Sequence, residues 1–234
     1  MQRVKKIDAR ELAMLSMLSA IAFVTVWVCR IIPPIIPSLP FLSYEIKCVV
    51  IAIGAFIFGP LPGVLVSLVV CLIEMLTISS TEIIGFLMNV VATAGFVCPA
   101  AYIYRKNRTF RNAVIGLLVG TATATAFMVA FNYFVTPFYM GVSQKLVAGL
   151  LLPAITPFNI FKNGLNSIFT VAFYPPVFNA LARHRLIKTT ESELRAFNGT
   201  KNIVPLCAGM VFVVSLCLAG LIIYNINHGL PQNF

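Results

Sequence analysis

Long apolar runs broken by short polar or proline-rich intervals organise this chain. The first run, residues 12–32, is long enough at ~20 residues to cross a hydrocarbon core as one helix. Pro33, Pro34, Pro37 and Pro40 then forbid helix, so residues 33–45 read as an extended loop or cap. A short run at 46–58 ends in the tight turn GPLPG, and another run follows at 61–78. Ser79, Ser80 and Thr81 with Glu82 predict a turn and cap for a fourth helix reaching about residue 104. The basic linker RKNRTFR leads to a fifth helix at 113–135, expected to stop near Pro137. A moderately polar stretch, 139–152, precedes a sixth helix running to about residue 182, and a charged stretch, 183–201, separates off a last apolar segment at 203–226. No internal repeat is visible, which weighs against an inverted-repeat carrier.

The pattern predicts an all-α polytopic membrane bundle. It divides into a six-helix membrane domain over residues 1–185, a charged linker at 186–202, and an additional C-terminal transmembrane segment with its tail at 203–234. Composition agrees: 59% of residues are hydrophobic and 10% charged, against roughly 25% charged in a soluble domain. The net charge of +10 would suggest nucleic acid in a soluble protein. Here it sits in short loops, where it acts as a topology signal and anionic-lipid contact, and no nucleic-acid partner is expected. Counting by alternate loops puts 13 of the 17 Lys and Arg residues on one side, with Arg30, Lys47 and Lys145 on the other and Lys162 within the membrane. The N-terminus is therefore expected to be cytoplasmic. The sequons at Asn107 and Asn198 then fall inside and are chance matches. Six cysteines lie in apolar segments without a CxxC pair, so neither metal nor disulfide is inferred. The N-terminal run lacks a small-residue cleavage site and reads as a retained helix.

Candidate chemistry concentrates at residues 153–166. Asn159, Lys162, Asn163 and Asn166 are spaced i, i+3, i+4, i+7 and share one helix face. A lysine at bilayer depth costs roughly 2.5–3.5 kcal/mol, and such residues normally face a bundle interior or wet cavity. That face is the first candidate site; the alternative is a snorkelling lysine with asparagines joining helices. Glu74, Asn89, Asn132 and Tyr133 are expected at the same outer depth. The inner halves carry few ionisable groups, and Gly116, Gly120, Ala122, Ala126 and Ala130 form a packing pattern. The expected shape is a pocket open to the outside, suited to capture rather than conduction. Trp27, Phe41, Tyr44, Phe86, Phe131 and Phe158 can approach it as aromatic walls, though each could equally belong to an interface belt or core. Glu74 could contact ligand or simply pair with Lys47 or Arg30. Ser16 and Ala20 form a small-xxx-small pair on the first helix that fits close helix approach, to a partner or internally.

The blocks at 54–68, 83–109, 132–141 and 151–167 together resemble the substrate-binding S-components of energy-coupling-factor (ECF) vitamin transporters, in particular the riboflavin-specific RibU type. The resemblance spans about residues 10–185. It implies a six-helix capture subunit in a prokaryotic plasma membrane that takes vitamin from outside and docks, through small residues of its first helix, on a membrane coupling subunit driven by two ATPase subunits. It further implies that Asn132, Asn159 and Lys162 hydrogen-bond the flavin, with Asn89 from the fourth helix, and that Ser16 and Ala20 dock the partner. Ser16 takes a place more usually held by alanine. Two departures stand out: Phe86 follows Gly85 where acidic variants carry Glu, and the last apolar segment lies outside the six-helix pattern.

The chemistry of an isoalloxazine edge, carbonyl and ring-nitrogen acceptors plus one N–H, suits asparagine and lysine. A neutral ligand leaves the Lys162 charge uncompensated, so a nearby carboxylate or water is expected, with Glu74 the candidate. The expected substrate-binding set is Asn89, Asn132, Asn159, Lys162, Asn163, Phe41, Tyr44, Glu74 and Phe86. Riboflavin is then cargo, and no resident cofactor is expected. Other readings are an S-component for a different vitamin or heterocycle, an intramembrane enzyme, and a scaffold without ligand. The chain has no Walker motif, and His184 and His228 lie outside the membrane core, so neither ATP hydrolysis nor metal or nucleophile chemistry is indicated.

Overall fold

The computed structural model describes residues 8–31, 44–78 and 82–187, with four isolated positions, Ser215, Cys217, Ala219 and Gly220. Phe41, the proline-rich loop and nearly all of the last apolar segment lie outside the described residues. The described chain is helical: α1 (Ala9–Cys29), α2 (Lys47–Phe58), α3 (Pro60–Thr77), α4 (Glu82–Lys106), α5 (Phe110–Met140), the short α6 (Gln144–Leu150) and α7 (Thr156–Arg183). Helix is what lipid demands, because each backbone N–H and C=O must be paired within the segment. Among the described residues five stretches are long and apolar enough to cross a membrane, and α2 is a shorter apolar helix packed among them.

The long helices run up and down, so the bundle has two unlike ends. One gathers the start of α1, the α2–α3 corner, Arg105 to Arg111 and the end of α7; this is the basic end. Arg10 reaches the Arg185 carbonyl there at 3.4 Å. The α2–α3 corner turns on Gly59, at φ 114°, a left-handed conformation that favours glycine, and Pro60 opens α3 where no intrahelical N–H is needed. A Cβ on Gly59 would also collide with the Arg105 guanidinium. Above this corner Phe56, Tyr104 and Tyr174 pack as an aromatic cluster, and the two tyrosine hydroxyls meet at 2.8 Å.

The α4–α5 seam is close, as its small residues predict. A Cβ on Gly116 would lie 2.6 Å from the Ala100 carbonyl oxygen, and one on Gly120 would strike that of Phe96. Thr123 donates across the same seam to the Gly95 carbonyl at 2.6 Å.

Two boundaries differ from expectation. The fifth helix does not stop near Pro137; α5 continues to Met140 and ends on Gly141 at φ 64°. Proline removes one backbone bond, whereas ending the helix would leave several groups unpaired, so continuation is cheaper. The polar stretch before the sixth helix is itself helical: α6 joins α7 through a π-helical turn, Leu151–Ile155, where the N–H and hydroxyl of Thr156 both bond the Leu151 carbonyl.

Candidate functional site

The end opposite the basic end holds a buried chain of charges. Lys47, the first residue of α2, is only 1% exposed and is bonded to Glu74 of α3, itself 2% exposed. The Lys47 ammonium also lies 3.1 Å from Glu45 Oε2, and the same oxygen lies 3.4 Å from Nζ of Lys162 on α7. Glu74 Oε1 accepts from Asn89 of α4 at 3.5 Å and faces the Arg30 guanidinium, at the end of α1, at 3.8 Å. Burying an ion costs several kcal/mol, so a lysine this deep persists only with close, well-placed carboxylates. Two of the chain's seven acidic residues supply them.

Beside this network Tyr44 donates to Asn166 Oδ1 at 3.2 Å and sets its ring edge against Phe161, with centroids 6.4 Å apart. Asn166 is fully buried, and its Nδ2 has no hydrogen-bond partner among the described residues, which leaves a donor for a bound molecule. Cys48 and Thr93 meet at 3.7 Å.

Lys162, Asn89, Glu74 and Tyr44 therefore gather at one end, as expected, while the other asparagines turn inward locally. Asn132 donates to the Met128 carbonyl at 2.7 Å and accepts from Thr136 at 2.9 Å; Asn159 donates to the Ile155 carbonyl at 2.8 Å. Asn163 and Phe158 are buried, and Phe86 and Phe131 are half-buried. Trp27 is corrected: at 57% exposed it faces away from the bundle. Lys47, counted on the less basic side and named as a possible partner of Glu74, is a buried helix residue and does pair with Glu74. The carboxylate beside Lys162 also differs from the one expected. It is Glu45, because Glu74 is engaged by Lys47. Glu45 was missed, although an E-x-K pair at the start of an apolar helix was the available signal.

On α1, Leu15, Ser19, Ala22, Val26 and Cys29 face the bundle. Ser16 and Ala20 lie on its exposed face with Leu12, Met17, Ile21 and Val24, and the Ser16 hydroxyl is satisfied by the Leu12 carbonyl at 3.0 Å. Among the described residues no cluster of His, Cys, Asp and Glu has the geometry of a metal site.

Comparison with known proteins converges on one family. The family model described as "ECF transporter, substrate-specific component" matches residues 10–174. The chain is 32% identical over 181 residues to the riboflavin transporter RibU of Staphylococcus aureus, covering 74% of this chain and 93% of that one. It is 29% identical over 185 residues to RibU of Streptococcus thermophilus, covering 75% and 86%. It is 28% identical over 174 residues to the riboflavin transporter FmnP of Bacillus subtilis, covering 70% and 88%. A solved structure described as the S component of a bacterial ECF transporter superposes with TM-score 0.63 at 34% identity, covering 74% of this chain and 97% of that one. With matching helices over most of its length and a polar site at one end of an apolar bundle, the chain belongs to the substrate-specific components of ECF transporters, multi-pass membrane proteins that bind their cargo.

Proposed function

We propose that this chain captures riboflavin, or a closely related flavin, from outside the cell and presents it for ATP-driven uptake. The observation that carries the reading is Lys162, a lysine on an apolar helix, held by Glu45 beside Asn166 and Tyr44. A flavin edge presents acceptors and one N–H; lysine donates, and asparagine does both. Asn89, Asn132, Asn159 and Asn163 complete the donor set, with Phe41, Tyr44 and Phe86 as ring walls. The riboflavin-transporting relatives support the same cargo.

The basic end is the cytoplasmic one on this reading, with the N-terminus inside and the Lys162 end facing out. Ser16 and Ala20, on the exposed face of α1, are the proposed contact with a membrane coupling subunit, and two separate ATPase subunits supply the energy. Riboflavin is cargo, not a resident cofactor. The apolar segment at 203–226 is an additional span outside the capture unit. The test is co-purification: protein extracted in mild detergent from flavin-replete cells, then denatured, releases riboflavin near one per chain. Protein that releases no flavin and takes up none when it is added contradicts the cargo assignment.

A further inference from the structure

We propose that Glu45 is a positioning and specificity-determining residue of this site: it fixes Lys162 and cancels its charge, so that the site selects an uncharged flavin over an anionic one. The inference rests on the flavin-capture reading above.

The geometry sets a hierarchy among the four buried charges. Lys47, at 1% exposed, is locked between Glu74 and Glu45, and so gives Glu45 a fixed place in front of α2. Glu74 is already served by Lys47, Asn89 and Arg30. Among the described residues Glu45 Oε2 alone joins the two lysines, at 3.1 Å from Lys47 and 3.4 Å from Lys162. Lys162 is the most open member, with its side chain 16% exposed, so it is the end of the chain that an arriving ligand meets.

Two consequences follow from elementary chemistry. An ammonium has three N–H donors, and Glu45 engages one, leaving two for a ligand. Without that anchor the four-carbon stem is free to snorkel, and binding has to order it. The charges also cancel: Lys47 and Lys162 against Glu45 and Glu74 give zero, while Arg30, 43% exposed, is screened by solvent. A balanced site offers an anion no net attraction, whereas loss of the Glu45 charge leaves one buried positive charge over.

The test uses full-length protein in detergent, with affinities for riboflavin and for flavin mononucleotide read by quenching of flavin fluorescence. Glu45→Gln is expected to weaken riboflavin at least about tenfold, the scale of one charged hydrogen bond. The affinity ratio of flavin mononucleotide to riboflavin rises in the same variant, and Glu45→Asp recovers most of the loss. In a Lys162→Met background, Glu45→Gln changes riboflavin affinity by less than about threefold, because Glu45 acts through Lys162. Should Glu45→Gln alone fail to fold, comparing the double variant, in which both charges are gone, with Lys162→Met still decides the point. Unchanged riboflavin affinity in Glu45→Gln, an unchanged ligand ratio, or an equal loss in the Lys162→Met background overturns the proposal while leaving riboflavin capture intact. Wild-type protein that binds no riboflavin removes both.

Discussion

Lys47→Met removes one charge from the interior while keeping most of the side-chain volume, which isolates electrostatics from packing. Glu45 retains Lys162 at 3.4 Å, but Glu74 is left with Asn89 at 3.5 Å and Arg30 at 3.8 Å. Arg30 is 43% exposed and compensates poorly for a carboxylate only 2% exposed. Removing one partner of a buried pair costs about 3–5 kcal/mol, which at ~2–4 °C per kcal/mol for a chain of this size lowers the melting temperature by roughly 6–20 °C. The assay is thermal unfolding in a fixed detergent, followed by loss of the monodisperse peak on size-exclusion chromatography. Adding Glu74→Met to Lys47→Met removes the stranded carboxylate and is expected to restore most of the loss, because apolar replacement of a whole buried pair is often neutral or better. A Lys47→Met protein as stable as wild type, or a double variant worse than the single, refutes the account of how this end is held.

Three further outcomes can be checked independently. Lys162→Ala weakens flavin binding by ~1.5–3 kcal/mol, read by titration, while membrane insertion of α7 improves. Gly120→Val forces a side chain against the Phe96 carbonyl across the α4–α5 seam and lowers thermal stability by more than Val119→Ala on the half-exposed neighbouring position does. Ala20→Trp on the exposed face of α1 leaves flavin affinity unchanged and lowers uptake in cells; lost affinity would instead place Ala20 inside the bundle.

The helices were legible because lipid makes their signal strong: a run of apolar residues of spanning length has few other structures open to it. The Gly116–Gly120 seam was legible for a similar reason, since only small residues let two backbones approach. Pro137 misled because the rule that proline ends helices comes from water, where freed carbonyls find solvent. Lys47 was legible as an option for Glu74, but its link to Glu45 was not, because a charge next to a loop normally stays in that loop. What keeps Lys47 in the interior is the approach of Glu45 and Glu74 from two elements, a three-body arrangement that charge counting along the chain does not express. Trp27 sits at a depth that fits a pocket wall, but the direction it faces is set by how α1 packs through Leu15, Ala22 and Val26. Asn132 and Asn159 do lie toward the Lys162 end of α5 and α7, yet their bonds to their own helices follow from side-chain rotation, which spacing leaves open.

The central claim is that the Lys162 end of the bundle binds a flavin. Titration of the purified protein with riboflavin, with thiamine as competitor and with the Asn159→Leu/Lys162→Met variant alongside, tests it most directly. The account predicts saturable quenching that resists thiamine and is lost in the variant. Equal quenching in wild type and variant would contradict the site, and absence of quenching in wild type would contradict the flavin.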